Sequence, residues 1–236
     1  IGVAELTASG LTPIDTPAET LACLDPHAAA SVPVALEIGG GTASGTEFSP
    51  VAFAGGDLGD TGFDLTSVAC PRWTANRDLV ATAVPANASD PSSIVTVVQT
   101  GSGERHEIGF AGCGTTPTSI SPDDQFLALA ITCFSAQWDN SGLYLLALVD
   151  VAEVGDLDAL TKLGAGLYGR TSWHSDGEWV AAAHADAIAN QNIAVDLGVQ
   201  PVGLQLIEVD TLQIVDVALA DDAQVFSLAW LDTEIG

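Results

Sequence analysis

An all-β fold assembled from repeated four-stranded sheets is what this sequence predicts, on three observations. Helical periodicity is nearly absent along the 236 residues. Short apolar runs bounded by Gly, Pro, Asn, Asp and Ser recur throughout, and one motif returns at near-regular spacing. Hydrophobic residues make up 47% of the chain, enough to bury a core and too many for wholesale disorder.

The clearest runs are 79–84, 94–98, 126–133, 143–151, 179–183, 202–209 and 212–219, each of strand length. Only 156–163 has the pattern of one or two helical turns. Ahead of these runs, 32–38 and 51–54 are strand-like but carry no hairpin signature. The expectation is therefore one domain over 1–236, with 1–69 a less regular N-terminal part.

The repeat selects the architecture. Trp73, Ile120, Trp173 and Trp230 each close an apolar stretch and are followed by a polar turn. In the first three, a strand beginning Leu79-Val80-Ala81, Phe126-Leu127-Ala128 or Trp179-Val180-Ala181 comes next. The intervals are 47, 53 and 57 residues. A four-stranded blade takes roughly 40–50 residues, more with long loops. The reading is a β-propeller of about four to five four-stranded blades. The segment 225–231 looks like an innermost strand with no blade after it. Either a blade shared by both chain ends closes the ring, or the ring is completed by further strands.

These hairpins resemble the Ser-Pro-Asp-Gly hairpin of TolB-type and WD-repeat-like β-propellers. Ser121-Pro122-Asp123 and Ser175-Asp176-Gly177 carry the likeness, which covers about three and a half repeats, mainly from Cys70 onward. Only the second hairpin keeps the Asp-Gly pair. The Trp-Asp dipeptide is absent from the blade ends, and Trp138-Asp139 sits before a turn instead. The resemblance implies large residues packed between blades and small alanines that let sheets approach. It implies little about function, because propellers host many.

Acidic residues number 31 against 5 Lys plus Arg, a net charge of −26. That excludes nucleic acid as a partner, since no basic patch exists to displace counterions from phosphates. A protein partner or larger assembly with a basic surface fits better, as does a divalent cation. No apolar stretch is long enough for a transmembrane helix.

The four cysteines form no CxxC, so zinc-ribbon and redox patterns are absent. An even number at wide spacing reads as two disulfides in an extracellular, periplasmic or cell-envelope setting. A turn centred between Asp123 and Asp124 sets Cys113 opposite position 134, one residue from Cys133, an offset that one bulge absorbs. Cys113–Cys133 is the expected pair, and Cys23–Cys70 follows by elimination.

Catalytic constellations are scarce. There is no Gly-x-Ser-x-Gly elbow, and Gly39-Gly40-Gly41 precedes a polar loop rather than a helix. His174 in a turn and His184 on the next strand could approach a common end of one blade. Asp57, Asp60 and Asp64 are the best local candidates for calcium; no other cofactor is expected. Trp138, with Asp139, precedes a hairpin-turn signal and is the best candidate contact for a partner. The expected function is a noncatalytic extracytoplasmic binding or assembly subunit with an acidic surface. The alternatives are a glycan-active propeller enzyme, which needs convergent carboxylates, or a part of a longer regulatory protein.

Overall fold

In the computed structural model, strands β1 (Val3–Thr7), β2 (Gly10–Ile14), β3 (Leu21–Asp25), β4 (Val34–Thr42), β5 (Gly45–Ala52) and β6 (Leu65–Ser67) are described by their backbone. Beyond them the described residues are 71–76, 78–87, 90–99, 101–133, 139–185 and 203–217, with 84–87 and 90–92 again by backbone alone. The further strands are β7 (Arg72–Trp73), β8 (Leu79–Asn87), β9 (Asp90–Gln99), β10 (Arg105–Ile108), β11 (Cys113–Ile120), β12 (Phe126–Cys133), β13 (Gly142–Ala147), β14 (Thr161–Ala165), β15 (Leu167–Trp173), β16 (Trp179–Ala185), β17 (Gly203–Glu208) and β18 (Ile214–Val217).

They form antiparallel four-stranded sheets in strict chain order, β3–β6, β7–β10, β11–β14 and β15–β18, with β1 and β2 paired as a hairpin. The sheets are the blades of an all-β propeller, numbered here first to fourth. Successive blades pack on one another: β6 on β8, β9 on β11, and β11 through β13 on β15. The sequence signals only two strands within 21–67, where the first blade lies. One reason is that Gly39-Gly40-Gly41, expected to lead into a loop, runs inside β4 across a register shift between Ile38 and Gly40. Glycine is depleted in strands and often marks a bulge, so it hides a strand from a pattern search.

The repeated motif has one geometry in three blades. Trp73 pairs with Val80, Ile120 with Leu127 and Trp173 with Val180. The next residue closes the turn in each: Thr74, Ser121 and His174 donate their N–H to the carbonyls of Leu79, Phe126 and Trp179, at 3.1, 2.9 and 2.9 Å. Gly177 (φ +77°) and Asp124 (φ +58°) occupy the same left-handed position of their turns. Glycine does so without steric cost, whereas Asp needs compensation. Asp124 has it, because its carboxylate accepts the Ala75 N–H of the preceding blade at 2.9 and 3.1 Å. The departure from Asp-Gly in this hairpin thus ties two blades together.

Cys113 and Cys133 are bonded across β11 and β12 and are both buried. Their register opposes them directly, while Ile120 opposes Leu127 at the turn; the one-residue difference is taken up by an irregularity between Pro117 and Ser119. Cys23 lies on β3 with only its backbone described, and Cys70 lies outside the described residues, as does 225–231.

In the third blade β12 and β13 are buried along nearly their whole length, so these two strands read as continuous apolar runs. Leu127, Leu129 and Ile131 of β12 face the second blade, among Val95, Val97 and Ile108. Ala128 and Ala130 face the fourth, where their small side chains admit Trp173 beside Val180 and Ile207. At the seam between the third and fourth blades a chain of hydroxyls crosses from β11 to β15. Thr118 donates to the Ala128 carbonyl at 3.1 Å and Thr171 donates to Thr118 at 2.8 Å, so the hydrogen bond shared by Ser119 and Thr171 must be donated by Ser119.

One apolar run ends earlier as a strand than its sequence suggests, and another begins later. After β13 the chain makes a 3-10 turn at Leu148–Asp150, turning Leu148 into the core between the second and third blades. After β17, Leu212 adopts φ +56° and closes a turn, so β18 begins at Ile214. The expected helical segment is a single 3-10 turn, Leu157–Ala159.

Candidate functional site

A cavity of about 360 Å³ with polar groups on its walls lies between the second and third blades. Three segments build it. Gly109, Phe110 and Ala111 connect β10 to β11. Asn140 precedes β13, and Gly155 through Asp158 belong to the long connection between β13 and β14. By strand direction, the first two segments lie at the end of the blades opposite the Asp124 turn.

Each wall is fixed for a local reason. The half-buried Phe110 ring packs against the core beneath, and its carbonyl accepts the Cys113 N–H at 3.0 Å. Asp156 caps the 3-10 turn by accepting the Ala159 N–H at 3.2 Å. Leu157 and Val154 turn inward against the core, which holds Asp156 and Asp158 outward and exposed. Tyr144 donates its hydroxyl to the Asn140 carbonyl at 2.6 Å. Burial, then the nearby Asp158 carboxylate, raises the Tyr144 pKa above the usual phenol value, so this hydroxyl keeps its proton.

Lys162, the only lysine of the chain, stands beside this wall. It donates to the Asp139 carbonyl at 3.0 Å and lies 5.3 Å from the centre of the Tyr144 ring. Burial lowers its pKa, and the Asp139 carboxylate opposes that shift. Its charge is directed at Asp139. Among the described residues no cation forms an ion pair with Asp156 or Asp158. The groove thus offers two exposed carboxylates, an amide and an aromatic ring, a set suited to a cationic side chain from a partner.

A second polar array lies in the fourth blade. Tyr168 donates to Gln205 Oε1 at 2.7 Å, and Gln205 Nε2 donates to Asp216 at 2.9 Å. His184 lies against the Tyr168 ring, 4.9 Å between centroids. Burial, with the Asp216 charge behind it, pushes the Tyr168 pKa up to about 12.

Of the residues singled out from sequence, Asp139 sits exposed beside the groove and adjoins Asn140, which lines it. Trp138 lies outside the described residues, as do Asp57, Asp60 and Asp64. Among the described residues no group of three or more metal-ligating side chains comes together. His174 and His184 are not brought together. They stand at opposite ends of β16, because a strand advances about 3.3 Å per residue and separates them by its whole length. His174 instead contacts Asp176 at 2.7 Å. Desolvation works upward on the Asp176 pKa, but hydrogen bonds from the Glu178 N–H and from His174 outweigh it and hold the carboxyl below its usual range. Sequence reasoning missed Phe110, Asp156 and Asp158. The available signal was length: the 13 residues between β13 and β14 form the longest connection within the third blade, and they are rich in acid.

Blade order, seams and repeated hairpins define a β-propeller. No protein-family model matches the chain, and no curated protein is similar to it in sequence. Solved structures are similar in fold. The TolB-type protein of Agrobacterium tumefaciens superposes with TM-score 0.57 at 12% identity, over 91% of this chain and 73% of that one. TolB from Acinetobacter baumannii gives 0.55 at 8% identity, over 91% of this chain and 47% of that one, so this chain spans about half its length. The fold is that of a TolB-type β-propeller. Among the described residues no helix is long and apolar enough to cross a membrane.

Proposed function

We propose that this chain is a noncatalytic, extracytoplasmic binding or assembly subunit that presents an acidic surface to a basic protein partner. The observation that carries the reading is the groove at Phe110, Asn140, Asp156 and Asp158. Its carboxylates face solvent while the one lysine nearby is engaged by Asp139. The balance of 31 acidic to 5 basic residues favours the same kind of partner. A buried disulfide persists in oxidising compartments, which supports a location outside the cytoplasm. The TolB-type fold is compatible with a protein-interaction role.

A photo-crosslinking residue placed at Asp139 in the producing cells tests the proposal, with Ser102 as the exposed control. One discrete protein adduct at position 139 and none at 102 supports it. Turnover of a glycan by the purified chain, with no adduct, overturns it. The subunit works without a resident cofactor. Chelation with EDTA then leaves its melting temperature unchanged, whereas a fall restored by calcium assigns a structural ion, with Asp57, Asp60 and Asp64 the first residues to substitute.

A further inference from the structure

We propose that β18 is a strand-addition site, where the outer edge of the fourth blade takes an extended basic segment of a partner protein as a fifth strand. This rests on the reading of the chain as a protein-binding subunit and names a surface for it distinct from the groove.

Comparison of three outer strands singles out β18. A sheet edge presents unpaired N–H and C=O groups, and charged side chains on the edge deter other strands from pairing with it. On β10, Arg105 and Glu107 are exposed and Ile108 is buried. On β14, Lys162 stands on the edge while Leu163 and Gly164 are buried. The β18 sequence Ile214-Val215-Asp216-Val217 has no basic residue. Ile214 and Val215 are 40% and 41% exposed, and Leu212 in the preceding turn is 43% exposed. Aliphatic side chains thus lie open on the one edge of the three that lacks a cation.

The backbone is also set for pairing. Glu208 donates its N–H to the Gln213 carbonyl at 2.9 Å. Antiparallel ladders alternate between hydrogen-bonded and non-hydrogen-bonded pairs. Leu206 and Val215 are therefore the next bonded pair, and Ile214 and Asp216 turn their N–H and C=O outward. Among the described strands β18 has only β17 as a neighbour.

Charge selects the occupant. Glu208, Asp210 and Asp216 border the aliphatic patch, and 203–217 contains no Lys or Arg. The Asp216 carboxylate is oriented by Gln205 Nε2 at 2.9 Å. A partner strand alternating Lys or Arg with Val, Ile or Leu sets its cations on the face of Ile214 and Asp216, and its apolar side chains beside Val215 and Val217 on the other face. A second copy of this chain brings a net charge of −26 against −26, which opposes self-pairing.

The test uses the full chain and an eight-residue peptide alternating lysine and valine, beside the same peptide N-methylated at alternate residues so that one edge cannot pair. Titration calorimetry and amide hydrogen exchange are read together. The expected result is binding that weakens with salt, with exchange at the Ile214 and Asp216 amides slowed at least tenfold. Binding is lost for the methylated peptide and weakened at least tenfold by Ile214→Lys with Val215→Lys. Those substitutions lie at exposed positions and leave the melting temperature unchanged. Undiminished binding by the double variant, or protection appearing at 109–111 and 155–158 instead, overturns the proposal. So does a dimer by light scattering in the absence of peptide. An adduct at Asp139 in cells combined with any of these three results removes only the β18 assignment. Absence of that adduct combined with β18 protection removes only the groove-centred reading.

Discussion

Replacing Thr171 by Val tests the seam between the third and fourth blades. Thr171 is buried and takes the middle place in a chain running from Ser119 through Thr171 and Thr118 to the Ala128 carbonyl. Valine keeps the shape and removes the hydroxyl. Thr118 still donates to Ala128, but the Ser119 hydroxyl loses its acceptor in a half-buried site. A hydrogen bond of this kind contributes about 0.5–1.5 kcal/mol, and a buried group left unsatisfied costs about 1–3. The expected loss is about 1–2 kcal/mol, a fall in Tm on the order of 3–6 °C for a chain of this size. Urea unfolding of wild type, Ser119→Ala, Thr171→Val and the double variant closes a cycle. Because the two hydroxyls share one bond, the single losses should exceed additivity by about 0.5–1.5 kcal/mol. Additivity within about 0.3 kcal/mol would refute the hydrogen-bonded seam.

Three further outcomes follow from the same geometry. Removing the buried disulfide with Cys113→Ala and Cys133→Ala, 20 residues apart, should cost about 3 kcal/mol on the chain-entropy account, read from urea midpoints; a loss under about 1 kcal/mol would contradict it. Gly166→Ala should destabilise by at least about 1–2 kcal/mol, because Gly166 has φ +114° and a Cβ there would meet His184 Nε2 at 2.9 Å. Gly101→Ala, with nothing within 4 Å, should be neutral. The Tyr168 pKa is raised to about 12, so the native state holds a proton that the unfolded chain releases near pH 10. Stability from this group is fully present below pH 10 and falls as pH rises from there to about 12. Absorbance titration of the phenolate should show native ionisation delayed relative to urea-unfolded chain, and coincident curves would contradict the burial.

The fold was legible where local chemistry repeats. The Trp73, Ile120 and Trp173 hairpins share pairing and closure, and these residues announce themselves by size and by the turn formers after them. The Cys113–Cys133 register was readable because a hairpin transmits its turn along two strands with one bulge of slack. The first blade was not legible. Its β4 carries three consecutive glycines, and its strands lack the large residue that marks the others. The groove was hidden for a different reason. Phe110, Asn140 and Asp158 are far apart in the chain and meet only because two blades pack side by side, which no local pattern encodes. His174 and His184 show the converse error: nearness in sequence put them at opposite ends of one strand.

Native mass spectrometry of the protein released gently from its cells, at low and high salt, tests the central claim most directly. The predicted result is a mass above that of the protein alone at low salt, by the mass of a basic partner, falling to the protein alone as salt screens the acidic surface. A monomer at low salt that turns over a glycan would contradict it.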